Sequence, residues 1–149
     1  ASVDEKASRF VIAAFLFNAR FAADESIENI PWRMGVHEII AKYINTKRLM
    51  EERIQPAELL EFFDDNTEEY NELTHIFDYN DGNKFIGEVA ERYFYDCIKT
   101  LRLSDIDDKI SRVKALAEAE TDGEKRKSLA EDLQKLLLQK KNIKNGERR

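Results

Sequence analysis

Two histidines, one cysteine and a few adjacent acidic pairs are the residues of this 149-residue chain with the means to do chemistry. A zinc site needs three or four His, Cys or carboxylate ligands at short spacings. His37 and His75 stand far apart, and no zinc set is read around either. Both are read as core or surface residues. Cys97 falls on an apolar helical line, so a packed, reduced thiol is expected rather than a nucleophile. Asp64/Asp65 and Glu68/Glu69 are candidate metal or acid–base carboxylates, but they fall at a helix junction. Acidic side chains favour the N-terminal end of a helix dipole, so solvated capping is their expected role. Gly82 and Gly87 stand alone and make no phosphate-cradling loop. Nothing assembles a nucleophile, a base and a stabiliser. No catalytic, cofactor-binding or metal residue is therefore assigned, no cofactor is expected, and the chain is read as a non-enzyme.

The elements that carry these residues are helical. Charged residues make up 36% of the chain and apolar ones 42%, with only 5 Gly and 2 Pro. That mix favours long solvent-facing helices over a turn-rich β fold. Ser2-Val3-Asp4-Glu5 has capping-box spacing, and Phe10 to Phe17 is apolar on every face, the mark of a central buried helix. No apolar run approaches the roughly 18 residues of a membrane span. After a loop around Asp24 to Pro31, Val36, Ile39, Ile40, Tyr43 and Ile44 predict a second long helix. Pro56 suits the first turn of a short helix bearing Leu59, Leu60, Phe62 and Phe63. Asn66 or Thr67 can cap another, bearing Tyr70, Leu73, Ile76 and Phe77.

Asn80-Asp81-Gly82 stops the pattern and restarts it. Beyond it two apolar lines run together, Ile86-Val89-Tyr93-Cys97 and Ala90-Phe94-Cys97-Leu101. They continue as Leu103, Ile106, Ile110, Val113 and Ala117 at coiled-coil spacing. A single helix from about Asn83 to about Ala119 is expected, with Ser104 and Asp107 as the place for a fresh start. Thr121-Asp122-Gly123-Glu124 reads as a turn and capping box. It opens a last helix whose seam is Leu129, Leu133, Leu136 and Ile143, which ends at Asn145-Gly146. So short a turn folds the two helices back antiparallel.

Composition divides the chain. All 15 aromatic residues lie at or before Tyr95. Aromatics fill a three-dimensional core, whereas Leu/Ile repeats with charged flanks build two-helix seams. The expected architecture is all-α: a bundle over 1–102, including most of the long connecting helix, and an antiparallel hairpin over 103–149. Charge divides the same way. Residues 1–100 carry 11 Lys/Arg against 20 Asp/Glu, and residues 101–149 carry 13 against 10. An acidic body argues against binding a phosphate backbone, which needs clustered Lys and Arg. One feature exceeds what a hairpin needs. Leu136, Leu137 and Leu138 are consecutive, and at about 100° per residue they cannot all face one partner helix. Either one of them packs back or is merely exposed, or a second apolar face awaits another protein.

The order of parts resembles a known family. A buried first helix, Ser8-Arg9-Phe10-Val11-Ile12-Ala13-Ala14-Phe15-Leu16, precedes a helix opening near Val36-His37-Glu38-Ile39-Ile40. A short helix pair and a long connecting helix follow. The charged hairpin reads Ile106-Asp107-Asp108-Lys109-Ile110 and Ala119-Glu120-Thr121-Asp122-Gly123-Glu124-Lys125-Arg126-Lys127. Over roughly residues 5–143 this is similar to the C-terminal helicase-binding domain of DnaG-type bacterial primases. The resemblance implies a module that docks on the N-terminal domains of the hexameric replicative helicase, recruiting primase and modulating the helicase. It implies that the hairpin supplies most of the binding. The contacts it points to are Leu129, Leu133, Leu137, Leu138 and Ile143, with Arg126, Lys140 and Lys141 as a charged rim. The zinc-binding domain and catalytic core of a primase have no counterpart in this sequence. The parent primase would be a DNA-directed RNA polymerase, but this fragment would not synthesise primers.

Two other readings stand beside it: the N-terminal domain of the helicase itself, and a small helical nucleic-acid-binding protein using the basic tail. The last five residues read as a protein terminus, which a helicase would lack, and the net charge of −6 disfavours direct nucleic-acid binding. Ala1 in place of Met reads as processing or excision from a longer protein. The lone thiol and the absence of a signal-like segment lead to an expected place in the cytoplasm, at the bacterial replisome, with no membrane partner. The exposed hairpin also leaves room for weak pairing of two copies.

Overall fold

A computed structural model describes residues 2–79 and 84–146. The expected stop at Asn80-Asp81-Gly82 lies outside them, and the long helix expected from about Asn83 begins only at Gly87, residues 84–86 forming a turn and bend. Among the described residues the chain is all-α, with no strand. The helices are α1 (Val3–Leu16), α2 (Gly35–Leu49), α3 (Pro56–Phe62), α4 (Glu68–Phe77), α5 (Gly87–Ala119) and α6 (Gly123–Asn145). Two 3-10 turns follow α1: Arg20–Asp24, just ahead of the stretch expected to be a plain loop, and Ile27–Asn29, within it. The chain divides into two compact units, Ala1–Leu101 and Arg102–Arg149, and the division falls inside α5.

The first unit is built around α1. Its N-terminus carries the expected box: Ser2 Oγ accepts from the Glu5 amide at 3.1 Å, and the Glu5 carboxylate accepts from the Ser2 amide at 3.2 Å. From Val11 to Leu16 no residue is more than 1% exposed. A helix can be apolar all round only if it is covered all round, and α1 touches both α2 and α4. The start of α5 covers it too, with Phe15 against Phe94 and Phe10 against Tyr93. Full burial of each large apolar side chain here contributes on the order of 1.5–3 kcal/mol. Asn18, just past α1, turns the chain with φ 60°, a left-handed conformation that Asn tolerates better than most residues.

Helix α2 ends in a Schellman arrangement. The Glu52 amide donates to the Lys47 carbonyl, and the Glu51 amide to that of Arg48. Glu51 itself sits at φ 57°, where glycine is usual, so this end of α2 holds some backbone strain. Pro56 opens α3 as expected. Of the two expected caps for α4, Thr67 is the one used, its hydroxyl accepting from the Tyr70 amide at 3.2 Å.

Gly87 begins α5 at φ +91°, a conformation strained for any residue with a Cβ. Of the two apolar lines expected there, only one is core. Ala90, Phe94, Cys97 and Leu101 are buried, but Ile86, Val89 and Tyr93 are 68%, 75% and 47% exposed. The reason is angular. Residues one position earlier lie about 100° round the helix, so once Phe94 meets Phe15 the other line falls at the rim. Tyr93 alone reaches back, laying its ring edge-on to Phe10 with centroids 4.6 Å apart. Helix α5 continues without interruption through Ser104 and Asp107, so no fresh start occurs there. It comprises 33 residues.

Candidate docking site

In the second unit, α6 follows the end of α5 after three residues, 120–122. Its N-cap is Asp122, not Thr121: the Asp122 carboxylate accepts from the Lys125 amide at 2.9 Å. The Glu120 carboxylate in turn accepts from the Asp122 amide at 3.1 Å. A carboxylate outperforms a hydroxyl at this positive helix end because it adds charge to the hydrogen bond. Lys140 Nζ reaches Asp107 Oδ1 at 2.8 Å, which brings the C-terminal part of α6 beside the α5 residues just past Arg102.

The seam follows the 4-3-4-3 pattern. On α5, Ile106 and Ile110 are buried, and Val113 and Ala117 half-buried. On α6, Leu129, Leu133, Leu136, Lys140 and Ile143 are half-buried, and no residue of the helix is fully buried. Lys140 thus occupies a seam position, its aliphatic stem continuing the stripe while its ammonium emerges to meet Asp107. Leu137 and Leu138 do not join the seam. They are 46% and 59% exposed, turned about 100° and 200° from Leu136. Arg126 and Lys141 are exposed. Of the eight expected contact residues, then, Leu129, Leu133, Ile143 and Lys140 lie along the seam, and Leu137, Leu138, Arg126 and Lys141 face outward. Leu116 on α5, 58% exposed, was not among the expected contacts. Only its register, three residues past the seam position Val113, marks it.

The first unit contains a polar cluster that sequence spacing does not reveal. Arg9 binds Glu72 through two hydrogen bonds, Nε to Oε2 at 2.6 Å and a terminal nitrogen to Oε1 at 2.9 Å. His37, fully buried, shares Glu72 Oε2 through Nε2. Glu72 beside His37 was not expected, because it lies 35 residues from His37 and 63 from Arg9. Burial alone would raise the Glu72 carboxyl. The hydrogen bonds from Arg9 and His37, with their charges, outweigh it and hold the group below its ordinary range. The same hydrogen bond raises Arg9 further above its already high value. The trio ties α1, α2 and α4 together deep in the unit and presents no open face for a substrate. His75 is exposed in the last turn of α4.

Cys97 is 4% exposed, and burial pushes its thiol up to about 11. A hydrogen bond with Tyr93 only partly offsets that rise. Partial burial first, and the thiol second, push the Tyr93 hydroxyl up to about 12. Neither group is poised as a nucleophile at neutral pH. Asp64, Asp65 and Glu68 are exposed just before and at the start of α4, and no group of three metal-ligating side chains forms among the described residues. No helix among those residues is long and apolar enough to cross a membrane.

A shallow groove of about 270 Å³ runs between the 3-10 turns and α2, floored by Ile27, Ile30 and Ala41 and edged by Trp32, Glu28 and Lys42. Lys42 is engaged with Glu38 at 3.3 Å and Asn45 with Glu28 at 3.4 Å, so its polar edge is already internally matched. Compared with known proteins, the chain matches no protein-family model, no curated protein and no solved structure.

Proposed function

We propose that this chain is a non-catalytic docking module, the helicase-binding domain of a bacterial primase. Its role in that reading is to seat the outward face of α6 on the N-terminal domains of the hexameric replicative helicase. One observation carries the proposal: Leu137 and Leu138 stand 46% and 59% exposed beside Leu136, which already fills the seam. Packing two helices needs one stripe on each. A second pair of leucines gains nothing for the fold and is costly to leave in water, which is the usual sign of an interaction face. Aliphatic anchors on one side of a helix suit a helix-in-groove contact.

The charges beside that face agree with a protein partner. From Leu133 to Gly146 the chain carries Lys135, Lys140, Lys141 and Lys144 and no carboxylate. A groove with an apolar floor and an acidic rim complements such a helix, and the rim charges govern encounter rate more than final affinity. The division into two units supports a division of labour, in which the second docks and the first, with its rigid aromatic core, passes on the effect. The test is calorimetric titration against the hexameric helicase of the same organism. Binding that weakens about tenfold or more in Leu137→Asp, with helicity unchanged, is the expected result. Equal binding by the variant would remove α6 as the contact. Binding to DNA with a steep salt dependence, in place of helicase binding, would point to the basic α6 as a nucleic-acid surface.

A further inference from the structure

The first unit carries an exposed apolar face of its own, of opposite charge to α6. Phe62, at the end of α3, is 59% exposed. It stacks on Tyr43 of α2 with centroids 4.3 Å apart and meets Phe63 edge-on at 5.0 Å. Ile39 lies one turn before Tyr43 on the same side of α2 and is 48% exposed. Core formation explains Phe63, which is buried, but not Phe62. The surroundings on the α3–α4 side are strongly acidic, residues 54–79 holding eight carboxylates and no Lys or Arg; on the α2 side Lys47 lies over the Tyr43 ring at 5.6 Å, its charge matched by Glu52 at 2.8 Å. Of these Glu72 is neutralised by Arg9, whereas Glu58, Glu61, Asp64 and Asp65 are exposed.

We infer that this face receives α6 of a second copy of the chain. Leu137 and Leu138 supply the apolar anchors for Phe62, Tyr43 and Ile39, and Lys135 and Lys141 meet the α3–α4 carboxylates. The occupant is argued from complementarity. The chain displays one apolar face in an acidic field and one in a basic field, and like faces would repel where unlike ones attract. The contact is heterologous, so it joins copies head to tail and leaves one face of each kind unsatisfied at the ends. It rests on the same leucines that the proposed helicase contact uses, so self-association and helicase docking exclude one another. Self-association then becomes a store from which the helicase draws free modules.

Sedimentation equilibrium of the whole chain across a concentration series, at low and at high salt, tests this. The expected result is a mass above that of the monomer that rises with concentration and falls with salt. Phe62→Asp and Leu137→Asp should each weaken association about tenfold or more. Both positions are solvent-exposed, and circular dichroism establishes that each variant is folded. Should either fail to fold, Glu58→Lys/Glu61→Lys and Lys135→Glu/Lys141→Glu replace them. The decisive step is to mix the two single variants. Each retains the face that the other lacks, so the mixture should form a dimer but nothing larger. A wild-type chain that stays monomeric at every concentration would overturn the inference. So would variants that associate like wild type, or a mixture that stays monomeric. Helicase binding measured on the same samples separates this failure from failure of the docking proposal, because a monomeric chain that still binds helicase leaves that proposal standing.

Discussion

Glu72 is the most consequential single side chain in the first unit. It is 7% exposed, receives two hydrogen bonds from Arg9, and contacts His37, so one carboxylate joins three helices. Removing one partner of a buried pair leaves the other charged and desolvated, which costs about 3–5 kcal/mol, whereas replacing both with apolar groups is often neutral. Arg9→Met is therefore expected to destabilise by about 3 kcal/mol in urea unfolding, and the all-apolar Arg9→Met/His37→Leu/Glu72→Leu, which leaves no member of the trio unpaired, to recover most of that loss. A triple variant no more stable than the single one would show that the cluster is not a coupled unit. The same residue sets a pH dependence. Folding lowers the Glu72 pKa, so at acid pH the folded state binds fewer protons there than the unfolded state. Its contribution is complete above the ordinary value of 4.5 and is lost as pH falls through the lowered folded value. In thermal melts between neutral pH and acid, Glu72→Gln should start less stable and lose less on acidification than the wild-type chain. None of this was legible in the sequence. Arg9, His37 and Glu72 are scattered along the chain, and only the packing of α1, α2 and α4 brings them together. Cys97 was legible, because a residue's place on an apolar helical stripe predicts its burial, and burial decides the state of a thiol.

Helix α6 and the end of α5 show how register within an element separates seam residues from outward ones. Leu133 and Leu137 are four positions apart, yet one is half-buried on the seam and the other faces water. Leu133→Asp places a carboxylate in the seam and should cost roughly 2–3 kcal/mol. No residue of α6 is fully buried, so that is enough to lower helicity in circular dichroism and to advance melting of this part of the chain. Leu137→Asp should leave both signals unchanged. Loss of helicity in Leu137→Asp would mean that Leu137 belongs to the fold. The 4-3-4-3 spacing made this seam readable from sequence, because a two-helix contact admits only one stripe per helix. Two details were not readable. Lys140 at a seam position looks like a surface residue until Asp107 is found beside its ammonium. In α5 the sequence offers two equivalent apolar lines, and only the position of Phe15 decides that Phe94 turns inward and Val89 outward. Cap choice also escaped: Thr121 has the capping-box spacing to Glu124, yet Asp122 is the cap used, where its charge adds to the hydrogen bond.

At the scale of the whole molecule the chain has two kinds of helical material. The first unit has a three-dimensional aromatic core, with Phe94 meeting Phe15, Phe21 and Tyr95. The second has a single thin seam and its apolar excess on the outside. Units with few buried contacts open locally at lower cost than well-packed ones, so the second unit is expected to open before the first. The absence of any aromatic residue after Tyr95 made this contrast visible before the fold was known. The exposure of Phe62 was not visible, since Phe62 and Phe63 are adjacent and only the course of α3 chooses between them. We propose that the outward leucines of α6 are the docking surface for the replicative helicase. Calorimetric titration of the whole chain into that hexamer, beside Leu137→Asp and Leu138→Asp chains of unchanged helicity, tests it most directly. The account predicts saturable binding by the wild-type chain that weakens at least about tenfold in each variant. Absence of heat and of complex at micromolar concentrations, or variants that bind as tightly as wild type, would contradict it.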